Sequence, residues 1–222
     1  MHRPLLAAAL VVAAVLLTGC ASGDDWSKPR PRPSAVGELG AGFVDRAGTP
    51  APESTVTPSP GSWSGVRPSA GTRVVLLAAG HDRTTKALVK AVRGWAKDEA
   101  VDLRTVTATD AADLVPAITR ALDMSPDLVI SAGNDLIDPL ATVSPSHLDQ
   151  EFLVVGAELA EPTENVTAVD WSGASFRGEG LGMSSTYDPA SFTDARCAAA
   201  VRAGAAAVLT GHTGIVVWLD TF

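Results

Sequence analysis

Three short polar clusters, each placed just after an apolar run, are where this sequence could do chemistry: His81-Asp82-Arg83-Thr84, Asn134-Asp135 and Asp170-Trp171. Asp82 and Asp135 can accept hydrogen bonds from sugar hydroxyls, Asn134 can read an amide or a base edge, and Trp171 can stack on a ring. That is the chemistry of recognition. Patterns for catalysis are poor: Gly178-Glu179-Gly180-Leu181-Gly182 lacks the strand-then-helix setting of a dinucleotide loop. No phosphate-binding G-x-x-x-x-G-K-[ST] follows the first strand, and no G-x-S-x-G nucleophile elbow exists. His81, His147 and His212 are far apart, with no H-x-x-x-H pair, so neither a metal site nor a cofactor is expected. A structural alternative stands beside the binding one. Gly80 and Gly133 would then be turn residues, the acids helix caps, and Trp171 filling beneath its loop.

The elements that must position these clusters alternate as strand and helix. Val74–Ala79 is an apolar run without polar alternation, the pattern of a strand covered on both faces, as in a parallel sheet flanked by helices. Leu88, Val92, Trp95 and Ala96 then recur at helical spacing, with Lys86, Lys90, Arg93 and Lys97 on the opposite, solvated side. Further strands are expected at Val101–Thr107, Leu128–Ala132, Phe152–Val155, Val166–Asp170 and Ile215–Leu219. Asp113 is the expected cap of the second helix, because Pro116 then falls in its first turn. Asp138-Pro139 reads as a cap and first residue of a short helix to about Val143. Gly173–Pro189 reads as a long ordered loop, and Ser191 with Asp194 as the cap of an Ala-rich helix, Phe192–Leu209. The fold class is α/β, a three-layer, mainly parallel sheet with helices on both faces, and all three polar clusters sit at the carboxyl ends of its strands. Open α/β sheets bind ligands there.

The N-terminal third is different material. His2 and Arg3, the apolar run Leu5–Leu17 and then Leu17-Thr18-Gly19-Cys20 have the form of a secretory leader over residues 1–19. The run is too short to span a bilayer comfortably. From residue 20 to 72 the chain is rich in Pro, Gly, Ser and Thr, and reads as a tether lifting a domain, residues 73–222, off a membrane. Val36–Val44 and Trp63 leave room for one short strand or a docking aromatic there. With 25 acidic against 17 basic residues the chain is a poor partner for nucleic acid or anionic lipid heads. Cys197, in the Ala-rich helix, reads as a buried small hydrophobe.

Leu17–Cys20 resembles a bacterial lipobox, which implies that Cys20 is diacylated and anchors the protein, as palmitate or similar chains would, on the extracytoplasmic face of the cell membrane. The opening strand ending in Gly-His-Asp, the P-D-L-V-I-S-A-G unit at Pro126–Gly133, F-L-V-V-G at Phe152–Gly156 and N-V-T-A-V-D-W at Asn165–Trp171 together resemble the first lobe of type I periplasmic binding proteins. More narrowly they are similar to the basic-membrane-protein (BMP) family of substrate-binding lipoproteins and their diverged actinobacterial relatives. The resemblance covers about Arg73–Leu219 and implies a non-catalytic protein that captures a small polar solute, nucleoside- or sugar-like, for an ABC permease. It implies a ligand site at His81, Asp82, Arg83, Thr84, Asn134, Asp135, Asp170 and Trp171. Two departures stand out: only one strand follows the last helix, and the first loop offers no aromatic. Enclosure of a ligand would need a second copy or another partner to complete the cleft. The alternative is a cell-surface interaction or scaffold lipoprotein whose ligand loops have degenerated.

Overall fold

The computed structural model describes residues 25–44, 50–183 and 185–222; the leader and Cys20 lie outside the described residues. Among the described residues are nine strands and four α-helices. Three two-residue strands come first, β1 (Ala35–Val36), β2 (Thr55–Val56) and β3 (Arg67–Pro68). Then follow β4 (Arg73–Ala78), α1 (Arg83–Asp98), β5 (Asp102–Thr107), α2 (Leu114–Leu122), β6 (Leu128–Ala132) and α3 (Ile137–Val143). Completing the order are β7 (Glu151–Val155), β8 (Val166–Asp170), α4 (Asp194–Leu209) and β9 (Val216–Trp218).

Seven strands form one sheet in the order β2-β9-β8-β7-β6-β4-β5, every pairing parallel. The α/β reading holds. Within β4 the side chains alternate: Val74 and Leu76 join one core, Val75 and Leu77 the other, and all four are fully buried. On the first face lie α1 and α4, with Leu88, Val92 and Trp95 packed against Ala203, Ala206 and the strands. On the second lie α2 and α3, through Ile118, Ile137 and Leu140. Lys86, Lys90, Arg93 and Lys97 of α1 are exposed, as a solvated face requires.

Helix starts differ from expectation in three places. Asp110, not Asp113, caps the second helical segment, accepting from the amides of Ala112 and Asp113 in a 3-10 turn that runs into α2. Asp113 instead pairs with Arg120. A 3-10 turn at Asn134–Leu136 starts α3 early, so Asp138 lies inside the first turn instead of capping it. Thr193 caps α4 through the Arg196 amide. At the second and fourth helices a nearby residue with equivalent chemistry took the cap, whereas the turn into α3 has no side-chain cap.

The tether reading is corrected by the structure for residues 25–44 and 50–72. Trp26, Phe43 and Trp63 are buried, and β2 adds to the main sheet outside β9. Proline and serine make these residues poor core formers, yet three aromatic side chains are enough to dock them. The final strand lies between β8 and β2, paired on both sides. Cys197 is fully buried, and burial pushes its thiol up to about 11. Asn165 is also buried and donates to three backbone carbonyls, so it serves packing.

Candidate functional site

The order in which strands are added reverses about β4. Its crossover leads to β5 on one side, and the next leads to β6 on the other, so the loops leaving β4 and β6 diverge. A crevice opens at such a point, at the carboxyl ends of the strands. Here it is a cavity of about 550 Å3 lined by Gly80, His81, Asp110, Leu114, Asn134, Asp135, Asp138, Phe176 and Glu179, among others. The two loops meet at its base, where the Ala79 amide donates to the Ala132 carbonyl at 3.2 Å. Gly133, at φ +121°, passes so close that a Cβ would lie 2.3 Å from the Ala79 oxygen. Only glycine fits there.

The cleft brings His81, Asn134 and Asp135 together and adds three acids, Asp110, Asp138 and Glu179. Asp135 has no hydrogen-bond partner among the described residues, so its carboxylate is available to a ligand. Asp138 accepts from the Glu179 amide and so ties the long loop after β8 to the cleft wall. His81 is the single basic side chain in the lining. Such a surface favours ligands that donate hydrogen bonds and disfavours anions.

Asp82, Arg83 and Thr84 stand beside the cleft, not in its lining. Asp82 is the N-cap of α1: Oδ1 accepts from the Thr84 amide at 2.8 Å and the Thr85 amide at 2.9 Å, and Oδ2 from the Thr85 hydroxyl at 2.6 Å. Partial burial raises its pKa, but these hydrogen bonds outweigh that and hold it at about 2. Its oxygens are already engaged. Thr84 is buried and its hydroxyl lies 3.2 Å from that of Tyr187.

Asp170 and Trp171 share the same end of the sheet but have no exposure to solvent, which corrects their reading as ligand contacts. Trp171 fills space under its loop, donating from Nε1 to Ser191 at 2.9 Å and packing edge-on against Phe192. Asp170 Oδ1 accepts from the amides of Trp171 at 2.8 Å and Ser175 at 2.7 Å, fixing the turn between them. Oδ2 has no partner among the described residues. Burial, with the nearby Glu158 carboxylate adding to it, pushes Asp170 up to about 7 despite those two amides. Glu158 is likewise raised by burial, against the pull of Arg177 at 2.9 Å.

Sequence reasoning missed Asp110, Asp138, Phe176 and Glu179 as cleft residues. It also missed the aromatic that the first loop lacks. Tyr187, the only tyrosine in the chain, comes from the Gly- and Ser-rich loop to stand over Thr84, and its ring packs edge-on against Phe192. A lone tyrosine within a run of small residues was the available signal.

A second cavity, of about 470 Å3, lies at the opposite end of the sheet, beneath residues 26–32. It is away from the strand ends where sheets of this type bind. Among the described residues no cluster of three or more His, Cys, Asp or Glu could hold a metal, and no helix is long and apolar enough to cross a membrane.

No protein-family model matches the chain, and no curated protein does. Solved structures do. The chain is similar to an ABC transporter system solute-binding protein from Aeropyrum pernix K1, with 20% identity over 45% of this chain and 28% of that one, TM-score 0.40. It is similar to a periplasmic ribose ABC transporter protein from Conexibacter woesei DSM 14684, with 16% identity over 69% of this chain and 55% of that one, TM-score 0.34. A lipoprotein-type fragment from Peptoclostridium difficile 630 matches over 62% of this chain and 98% of its own, with 15% identity and TM-score 0.45. The chain thus spans well under two thirds of the two transporter proteins. These are likenesses of fold.

Proposed function

We propose that this protein is an extracytoplasmic, lipid-anchored binding lobe that captures a small polar solute at the carboxyl rim of its sheet and does no chemistry on it. The observation that supports this most is the cleft at the β4/β6 divergence, with His81, Asn134 and an unengaged Asp135 facing one space. Asp110, Asp135, Asp138 and Glu179 suit a solute rich in hydroxyl or amino donors, of which a nucleoside or sugar is the proposed class. Relationship to the BMP-type binding lipoproteins, handover to an ABC permease and the anchor at Cys20 belong to the same proposal. Thermal-shift screening of residues 25–222 against nucleosides, sugars and amino sugars tests it. A ligand-dependent rise that Asp135→Ala abolishes is the expected outcome; no shift across the panel rejects solute capture.

A second reading has one observation in its favour. Of the seven exposed large apolar side chains among the described residues, Val115, Leu181, Met183, Tyr187 and Phe222 stand at the rim end. They suit a partner or second copy that covers the cleft. Concentration-dependent dimerisation without any ligand response would favour this reading.

A further inference from the structure

Residues 25–32 cross the amino-terminal end of the sheet as a strap, strand by strand. Trp26 Nε1 donates to Asp102, at the start of β5, at 2.6 Å, and its ring packs against the guanidinium groups of Arg104, at 4.2 Å, and Arg73, at 5.6 Å. Arg73, the first residue of β4 and itself buried, donates to the carbonyls of Trp26 at 3.1 Å and Asp25 at 3.2 Å. Arg30 pairs with Asp127, which precedes β6, and Arg32 donates to the Asp149 carbonyl, ahead of β7, at 2.7 Å. The strap therefore visits β5, β4, β6 and β7, which is their order in the sheet. Its fastening is made of directional contacts, most of them at least partly buried, so residue 25 has a fixed place at that end.

Cys20 precedes Asp25 by five residues. Even fully extended, such a stretch reaches about 18 Å. From this we infer that the amino-terminal end of the sheet is the membrane-apposed face of the protein, with the strap acting as a rigid foot and the cleft opening away from the bilayer. The six residues of β4 alone put about 20 Å between the two ends. The partner this face meets is a lipid surface, held there by the acyl chains and not by charge, because the basic residues of the strap are largely engaged by Asp127, by Asp25 and by backbone carbonyls. A long tether would have let the domain tumble. The strap removes that freedom.

This inference rests on the lipid anchor proposed above, and the test separates the two. Full-length lipoprotein is prepared with a single environment-sensitive fluorophore at Leu148→Cys, exposed at the strap end, or at Leu181→Cys, exposed at the rim. Cys197 is buried and does not compete for label. The proteins are reconstituted into vesicles whose lipid headgroups carry a nitroxide, a contact-range quencher. Quenching several-fold stronger at position 148 than at 181 is expected, and the Arg30→Ala/Arg32→Ala double variant should narrow the difference. Equal quenching, or stronger quenching at 181, in protein that floats with vesicles overturns the orientation while leaving the anchor intact. Protein that fails to float, or a Cys20→Ser variant that floats equally well, overturns the anchor and the orientation with it.

Discussion

Asp170 is the residue whose environment departs furthest from water among those that shape the rim. Its folded pKa, about 7, lies above the ordinary aspartate value, so the folded state holds a proton that the unfolded state releases. The stability this contributes is complete below the unfolded value and is lost as pH rises through about 7. On the order of 4 kcal/mol separates the two limits. We expect the urea midpoint to fall between pH 5 and pH 8, and Asp170→Asn to flatten that dependence, Glu158 leaving a smaller residual of the same sign. Asp82 works the other way: depressed to about 2, it contributes stability at neutral pH that disappears as pH falls through that value. Asp82→Ala should lower stability by about 1 kcal/mol, the typical cost of a lost N-cap, measured by denaturant titration at pH 7. The sequence alone could not separate the two aspartates. Both follow an apolar run and both accept from amides a few residues along the chain; what separates them is burial, 0% exposure for Asp170 against an exposed Asp82, and that is decided by elements distant in sequence.

Elements were more legible than residues. Val166–Asp170 and Leu128–Ala132 have the expected bounds because a doubly covered strand needs an unbroken apolar run, a local property. The second and fourth helix starts shifted because several acids and hydroxyls near each compete for the cap. Packing between layers was hidden altogether, and two glycines inside helices show it. Gly94 in α1 has open space where a Cβ would go, whereas at Gly204 in α4 a Cβ would lie 2.5 Å from Leu153 Cδ1 and 2.6 Å from Val169 Cγ2. Gly94→Ala should therefore raise stability by up to about 1 kcal/mol, through helix propensity. Gly204→Ala gains the same propensity but overpacks the helix–sheet contact, which typically costs about 1–3 kcal/mol, so a net loss is expected. Thermal melts of the two variants, run side by side, check the contrast. Sequence pattern assigns both glycines to helices, but only the neighbouring strand makes one of them obligatory.

At the scale of the whole molecule, the boundary at residue 73 that composition suggested cuts through the fold. A fragment of residues 73–222 loses Trp26, Phe43 and Trp63, each with at least nine-tenths of its surface buried, and strips β2 from β9. We expect it to melt well below residues 25–222 and to self-associate, as size-exclusion chromatography would report. Composition counts residues, and three aromatics diluted among prolines and serines do not register in it. The pairing of Thr55 with Val216 has one more consequence. These partners are roughly 160 residues apart along the chain, and contacts that distant cannot form until β9 has been made. The second strand must therefore remain without its neighbour until the last one arrives. Folding should accordingly finish slowly and all at once, with the region around β2 vulnerable to proteases for as long as β9 is unavailable to it.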